Sequence, residues 1–129
     1  MVKFNRLIPE LRVSDINKSK GFYTKIGFQI IYERVEDKFC FLELEGNQIM
    51  IEEDLEEWST GKLEYPYGRG INISMTVDDV YAYYLKLKEL NINFFEEFMV
   101  NQHRVNDIIY EDKEFLIQDP DGYLLRFND

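Results

Sequence analysis

Apolar and polar residues alternate with a period of two from Leu7 to Val13, which predicts a half-buried strand. One face of this strand carries Leu7, Pro9, Leu11 and Val13, and the other carries Ile8, Glu10 and Arg12. A helical period follows. Ser14-Asp15 supplies N-cap chemistry and Gly27 ends the predicted helix. Its apolar face consists of Ile16, Ser19, Phe22, Tyr23 and Ile26.

Three short strands are predicted next, at Phe28 to Arg34, Phe39 to Leu44 and Gln48 to Glu53. Gly46-Asn47 lies at the turn between the last two, where a glycine accepts a positive φ without a Cβ clash. The first part of the chain therefore has the order βαβββ.

The same order then occurs again. Ile71 to Val77 alternates between an apolar face and a face of Asn72, Ser74 and Thr76. Asp78-Asp79 begins a second helix, whose apolar stripe comprises Val80, Tyr83, Tyr84, Leu87 and Leu90. Strands near Phe94 to Val100, Glu114 to Gln118 and Tyr123 to Phe127 complete the repeat, and Asp-Pro-Asp-Gly forms the last turn.

Two offsets relate the copies to each other. A shift of 64 residues places Val13 on Val77, and a shift of 76 places Gly46 on Gly122. The sequence thus predicts an α+β fold of two tandem βαβββ modules within a single domain over residues 1–129. Module 1 covers about 4–53, a linker covers 54–69, and module 2 covers about 70–129.

The composition narrows the classes of partner. A formal net charge of −10 argues against nucleic acid, because phosphate contacts need a basic surface, and is compatible with a cationic ligand. The lone cysteine, Cys40, forms no intrachain disulfide. We expect a cytoplasmic protein without membrane contact, since no signal peptide or apolar span of about 20 residues is evident.

Strand parity predicts which side chains face the concave side of the two copies. The predicted set is Ile8, Glu10, Arg12, Met50, Glu52, Asn72, Ser74, Thr76, Leu124 and Arg126. A strand face of Asn-Ser-Thr makes a poor core, so it must meet water or a ligand. Arg12 and Arg126 are candidates for ion pairs with Glu10 and Glu52, an arrangement that the sequence leaves open.

Catalytic residues are not evident. The only histidine, His103, lies in the polar stretch NQHRVND and is expected on a solvated loop. No second histidine and no Ser/His/Asp or Cys/His combination supports nucleophilic catalysis. We therefore assign no catalytic residue.

Three stretches together resemble the vicinal oxygen chelate superfamily, which includes glyoxalase I, extradiol dioxygenases, fosfomycin-resistance enzymes and bleomycin-resistance proteins. They are IPELRVSDINKSKGFYTKIGF, NISMTVDDVYAYYLKL and EFLIQDPDGYLLRF, and the resemblance covers nearly the whole chain. It implies that each module curls its sheet into a half-open barrel around the site.

The resemblance also implies four metal positions, which fall on Ile8, Glu52, Asn72 and Arg126. Only Glu52 is a plausible ligand, because Ile8 has no donor atom and Arg126 is a permanent cation. A catalytic divalent ion usually takes three protein ligands. We expect no metal and no other cofactor.

Without that metal site, the chain resembles the metal-free bleomycin-resistance proteins, which bind a cationic glycopeptide antibiotic in clefts at a homodimer interface. The predicted ligand-binding residues are Phe39, Phe41, Met50, Glu52, Asn72, Ser74, Tyr110 and Arg126. The family carries a tryptophan where this chain has Tyr110 or Glu111. Two alternatives stay open: a metal-dependent lyase or dioxygenase of the same fold, and a sensor or carrier of another small molecule.

Overall fold

The βαβββ order occurs twice, as the sequence predicts. The structure is a computed structural model that describes residues 2–53 and 58–129. Module 1 consists of β1 (Glu10–Val13), α1 (Ile16–Lys25), β2 (Gln29–Arg34), β3 (Phe39–Leu44) and β4 (Asn47–Glu53), with a 3-10 turn at Val35–Asp37. Module 2 consists of β5 (Asn72–Thr76), α2 (Val80–Glu89), β6 (Glu96–Val105), β7 (Ile108–Gln118) and β8 (Leu124–Asn128).

Module 1 is a four-stranded sheet with the strand order β1-β4-β3-β2. β1 and β4 are parallel and the remaining neighbours are antiparallel. The Asp15 carboxylate caps α1 by accepting hydrogen bonds from the backbone N–H groups of Asn17 and Lys18, at 3.0 and 3.2 Å. Glu45 and Gly46 form the turn between β3 and β4, both with positive φ, one residue earlier than predicted.

The core of module 1 uses both faces of β3. Cys40 and Leu42 are fully buried, as are Ile51 and Ile49, which lie opposite them on β4. Burial, reinforced by the negative charge of Glu33, raises the pKa of Cys40 to about 11. The thiol therefore stays protonated at neutral pH and acts as a small apolar side chain.

Module 2 has the equivalent strand order, β5-β8-β7-β6, with β5 and β8 parallel. The Asp79 carboxylate caps α2 by accepting from the backbone N–H of Ala82 at 3.0 Å. The core is aromatic: Tyr83 packs on Phe127 and Phe115 with ring centroids 5.1 and 5.8 Å apart. In neither sheet do the two outermost strands pair with each other among the described residues, so neither sheet closes into a barrel.

β1 is shorter than predicted and begins at Glu10. Leu7, expected in the core, is 84% exposed. The reason is that the segment around Lys3 and Asn5 is fixed by hydrogen bonds to one side chain and not by backbone pairing with a neighbouring strand. The Gln48 amide accepts from the backbone N–H of Asn5 and donates to the carbonyl of Lys3, both at 2.7 Å.

The prediction of a solvated loop around His103 is wrong. β6 and β7 continue as a paired ladder as far as Val105 and Ile108, and Asn106 turns the chain with a φ of 56°. Residues 100–111 are exposed on both faces. Alternation between apolar and polar positions, the usual strand signal, is therefore missing there.

The chain divides into two compact units. One comprises Met1–Tyr67 with Asp119–Asp121, and the other comprises Gly68–Gln118 with Gly122–Asp129. Of the predicted linker, residues 54–57 lie outside the described residues, and Trp58 and Tyr65 are exposed. The module limits at 4–53 and 70–129 stay predictions. Neither helix among the described residues has the length and apolarity to span a membrane.

Candidate functional site

The sheet face of module 1 that points away from α1 is organised by register into two rows of side chains. One row consists of Glu10, Met50, Phe41 and Tyr32. The second row consists of Arg12, Glu52, Phe39 and Arg34. Parity thus places Met50 and Glu52 on one face with Glu10 and Arg12, as the sequence predicts.

Ion pairs occupy one end of the second row. The Arg12 guanidinium hydrogen-bonds the Glu52 carboxylate, and it lies 3.6 Å from a carboxylate oxygen of Glu10. The side chains of Arg12 and Glu52 are only 17% and 16% exposed. The candidate pairing of Arg12 with both acids is confirmed. It means that Glu52 is already matched by a cation.

Phe39 and Phe41, predicted to stack on a ligand, are buried in the chain, at 4% and 1% exposure. Tyr32 stacks on Phe41 with centroids 5.3 Å apart and an interplanar angle of 15°. The Phe4 ring meets Phe41 edge-on at 5.3 Å. The exposed aromatic groups of this face are therefore Tyr32 and Phe4. Neither is among the residues predicted to bind a ligand, and Phe4 precedes any regular element.

Arg34 covers the remaining aromatic surface. Its guanidinium carbon lies 4.1 Å from the centroid of the Phe39 ring, within the range of a cation–π contact. A ligand that stacks on Phe39 must therefore displace this guanidinium.

The corresponding face of module 2 is polar, in keeping with the Asn-Ser-Thr pattern. Asn72, Ser74 and Thr76 are exposed. The Asn128 side chain joins two of them: its amide nitrogen donates to Ser74 Oγ at 2.8 Å, and its oxygen accepts from Thr76 Oγ1 at 2.9 Å. These side chains are suited to hydrogen bonding with amide or hydroxyl groups.

Arg126 lies level with Ser74 on this face, but its ion-pair partners differ from the predicted ones. The guanidinium hydrogen-bonds the buried carboxylate of Glu114 and lies 3.9 Å from Asp112. Arg126 therefore pairs with acids on the neighbouring strand β7, and not with the candidates Glu10 and Glu52. The sequence predicts a strand that begins at Glu114 but indicates no partner for this residue.

Glu114 is 5% exposed and fully engaged. Burial opposes its ionisation, but hydrogen bonds from Asn101 and Arg126 and the positive charge of Arg126 outweigh burial and lower the pKa of Glu114. The Asn101 amide donates at 2.9 Å to the carboxylate oxygen that Arg126 does not use. The carboxylate is thus held ionised between two donors.

His103 and Tyr110 extend the polar face along the β6–β7 hairpin. His103 Nδ1 lies 2.7 Å from a carboxylate oxygen of Asp112. Its ring stacks on Tyr110 with centroids 5.7 Å apart and an interplanar angle of 20°. Tyr110 is 47% exposed, so it is the one predicted aromatic contact that presents substantial ring surface.

Register corrects one of the four positions at which the enzymes of the fold would hold a metal. In module 1, Glu10 pairs with Met50. The shift of 64 residues places Glu10 on Ser74, and in module 2 Ser74 pairs with Arg126. The residue of module 1 that matches Arg126 is therefore Met50 and not Glu52, since both repeats must keep the same ladder. Glu52 instead matches Asn128, because Arg12 pairs with Glu52 as Thr76 pairs with Asn128.

The corrected set does not fit a catalytic divalent ion. It consists of Ile8, Met50, Asn72 and Arg126, with neither a carboxylate nor an imidazole. Across residues 2–53 and 58–129, no three His, Cys, Asp or Glu side chains are grouped so as to hold a metal.

Comparison with known proteins agrees with this fold. The family model of the Glyoxalase/Bleomycin resistance protein/Dioxygenase superfamily matches residues 3–127, so the chain belongs to this superfamily. No curated protein sequence matches the chain.

Solved structures with the same fold include three that cover nearly the whole chain. A glyoxalase/bleomycin resistance protein/dioxygenase from Alicyclobacillus acidocaldarius is 23% identical, with a TM-score of 0.69, over 96% of this chain and 89% of that one. A bleomycin-binding protein complexed with bleomycin is 19% identical, with a TM-score of 0.68, over 98% of both chains. TioX from Micromonospora sp. ML1 is 14% identical, with a TM-score of 0.74, over 97% of this chain and 98% of that one.

Proposed function

We propose that the chain is a non-catalytic binding protein that sequesters a cationic small molecule of the bleomycin class through the polar and aromatic faces of its modules. The observation that carries the proposal is the residue set Ile8, Met50, Asn72 and Arg126, which lacks metal donors at the positions where enzymes of this fold need them. The likeness in fold to a bleomycin-binding protein supports the ligand class.

The charge distribution also supports a cationic ligand. The net charge of −10 gives the surface a long-range attraction for positive molecules. Within the ion-pair cluster of module 1, Glu10 and Glu52 outnumber Arg12 by one negative charge. On module 2, Asn72 and Ser74 offer amide and hydroxyl groups that suit the amide-rich backbone of a glycopeptide.

Calorimetric titration with bleomycin is expected to show about one ligand per chain with a dissociation constant in the micromolar range or tighter. Glu52→Ala should weaken binding by about tenfold, because it removes one carboxylate from the cluster of Glu10, Arg12 and Glu52 and with it the excess negative charge of that cluster. Glu89→Ala, at the exposed end of α2, changes the net charge equally and should leave the affinity unaltered. Absence of binding across the drug class would reject the ligand assignment and leave the fold unaffected.

Metal analysis separates this proposal from an enzyme of the same fold. Protein purified without chelator and then incubated with Zn²⁺, Mn²⁺ or Fe²⁺ is expected to hold well below one ion per chain after desalting, because the four positions supply no carboxylate or imidazole. A stoichiometric ion would contradict the proposal and favour the metal-dependent alternative.

A further inference from the structure

The N-terminal segment carries an exposed ring, Phe4, onto the sheet face of module 1, outside the set of predicted ligand-binding residues. The Phe4 ring meets Phe41 edge-on, and it lies perpendicular to Tyr32, with centroids 6.4 Å apart and an interplanar angle of 89°. Phe4 is 55% exposed and Tyr32 is 36% exposed. Two exposed rings thus meet at a right angle against the buried ring of Phe41. We define these three residues as the aromatic corner.

Hydrogen bonds on both sides of Phe4 hold its ring in place. The buried amide of Gln48 accepts from the backbone N–H of Asn5 and donates to the carbonyl of Lys3, both at 2.7 Å. The Asn5 side chain donates to the carbonyl of Gly46 at 2.8 Å. The segment is therefore anchored to β4 and to the turn before it. A ring fixed in this way needs little ordering when a ligand binds.

A carboxylate without a cation lies beside the aromatic corner. Glu43 follows Phe41 by two positions on β3, so it lies on the same face about 7 Å further along the strand. It is half-buried, and one of its oxygens accepts from the Gln48 amide at 2.7 Å. Among the residues that the structure describes, Glu43 has no ion-pair partner. Its negative charge is available to a cation from outside the chain.

The same face already holds one cation against an aromatic ring. The Arg34 guanidinium lies over Phe39, and its charge is matched by the Asp37 carboxylate at 3.0 Å. Within the described part of the chain, no cation lies over the ring of Phe4 or Tyr32. The aromatic corner therefore offers the kind of surface that Arg34 uses on Phe39, without an occupant from the chain.

The lining of the corner selects one class of cation. Aromatic faces attract positive charge but accept hydrogen bonds poorly, so an ammonium group with N–H donors would lose its water without gaining enough acceptors. A methylated ammonium group has few or no such donors and presents its charge through apolar methyl groups. We propose that the aromatic corner and Glu43 bind a methylated ammonium group carried by a small molecule. This site does not depend on bleomycin being the ligand.

An NMR titration with choline tests the proposal directly. The backbone amide signals of Phe4, Tyr32 and Phe41 are expected to shift, with a dissociation constant of about 1–10 mM, since few contacts hold so small a ligand. The neutral analogue of choline, in which a tert-butyl group replaces the trimethylammonium group, has the same shape without the charge. It should bind at least about tenfold more weakly. Equal affinity for the two compounds would overturn the proposal.

Two substitutions separate the contributions of the ring and the carboxylate. Phe4→Leu removes an aromatic face, and Glu43→Gln removes the charge while keeping an oxygen for Gln48. Each should weaken the binding of choline by about fivefold. Phe95→Leu and Glu89→Gln make the same changes at exposed positions of module 2, and they should leave the affinity unchanged. A Phe4→Leu protein that binds choline as tightly as Phe95→Leu would contradict the proposal.

Phe4→Trp provides a test that keeps an aromatic ring at this position. Tryptophan offers the strongest cation–π face, so this variant should bind choline at least as tightly as the wild type. Circular dichroism checks that every variant folds, and Phe4→Trp with Glu43→Gln suffices if Phe4→Leu does not. Sedimentation with phosphatidylcholine vesicles separates a lipid headgroup from a free ligand. Protein that sediments with the vesicles and shows no shift with choline would overturn the assignment to a free small molecule.

The choline and bleomycin titrations have separate outcomes. A protein that binds bleomycin and ignores choline would overturn the methylated-ammonium site and leave the proposed function unaffected. A protein that binds choline with the expected loss in Phe4→Leu, but binds no drug of the bleomycin class, would support the site and reject the ligand assigned above.

Discussion

Asp119→Ala is expected to lower the free energy of unfolding by about 3 kcal/mol, among the largest effects of a single polar substitution in this chain. Asp119 is 3% exposed and belongs to the same compact unit as Tyr23, whose side chain is fully buried. Its carboxylate accepts from the Tyr23 hydroxyl at 2.7 Å and from the backbone N–H of Asp121 at 2.9 Å. Removal of the carboxylate leaves the Tyr23 hydroxyl and the Asp121 N–H without this acceptor. Both groups stay buried, so this hydrogen bond no longer offsets the free energy of removing them from water.

Urea unfolding at neutral pH, followed by circular dichroism, measures this loss. Tyr23→Phe removes only the hydroxyl, so it should cost about 1–2 kcal/mol. The double variant should cost less than the sum of the two single variants, because both remove the same bond. Asp107→Ala, at the exposed turn between β6 and β7, is the control and should change stability by less than about 0.5 kcal/mol. An Asp119→Ala protein as stable as that control would contradict the assigned role.

Glu114→Ala is expected to cost about 3 kcal/mol at neutral pH, at the lower end of the range for breaking a buried ion pair. The carboxylate is 5% exposed and accepts from Arg126 and Asn101. The loss stays near the lower end because Arg126 keeps Asp112 within 3.9 Å and its side chain is 35% exposed. Asn101 loses its acceptor as well, but it lies at an exposed position of β6, where water replaces the carboxylate.

The effect of Glu114 depends on pH in a defined direction. The pKa of this carboxyl is lowered in the folded state from about 4.5, so the charged form stabilises the fold. That contribution is complete above the unfolded-state pKa and is lost as the pH falls through the folded-state pKa. The difference in stability between the wild type and Glu114→Gln should therefore be constant near neutral pH and shrink below about pH 4.5.

Urea unfolding of the two proteins from neutral pH to about pH 3 gives this comparison. The conservative Glu114→Gln variant retains the shape and one acceptor, so a difference that shrinks with acid reports the charge and not the packing. Glu111→Gln, on an exposed neighbouring position of β7, is the control and should track the wild type across the range. A difference that stays constant down to the acid limit would show that the charge of Glu114 does not stabilise the fold.

Local patterns in the sequence were sufficient for the order of elements. Asp15 and Asp79 cap the helices that the sequence places after them, because capping depends on residues two or three positions away. The alternation around Asn72 and Ser74 predicts an exposed polar face, because neighbouring residues of a strand point to opposite sides. The two offsets between the repeats predict the tandem modules.

The extent of the β6–β7 hairpin required the tertiary structure. His103 and Arg104 lie in a ladder whose faces are both exposed, so no alternation distinguishes it from a loop. Phe4 likewise lies outside any regular element, and its contact with Phe41 follows from the path of a segment that Gln48 holds in place.

Ion pairing shows where the sequence alone stops. The sequence determined that Arg12, Glu52 and Arg126 belong to polar strand faces, since the alternation of side chains along a strand is a local property. Only the tertiary structure decided that Arg12 pairs with Glu52 and that Arg126 pairs with Glu114. It also decided that Met50 is the residue of module 1 that corresponds to Arg126 of module 2. The physical reason is that a partner is selected by the register between strands distant in the chain, and a shift of two residues preserves every local pattern while changing every pair.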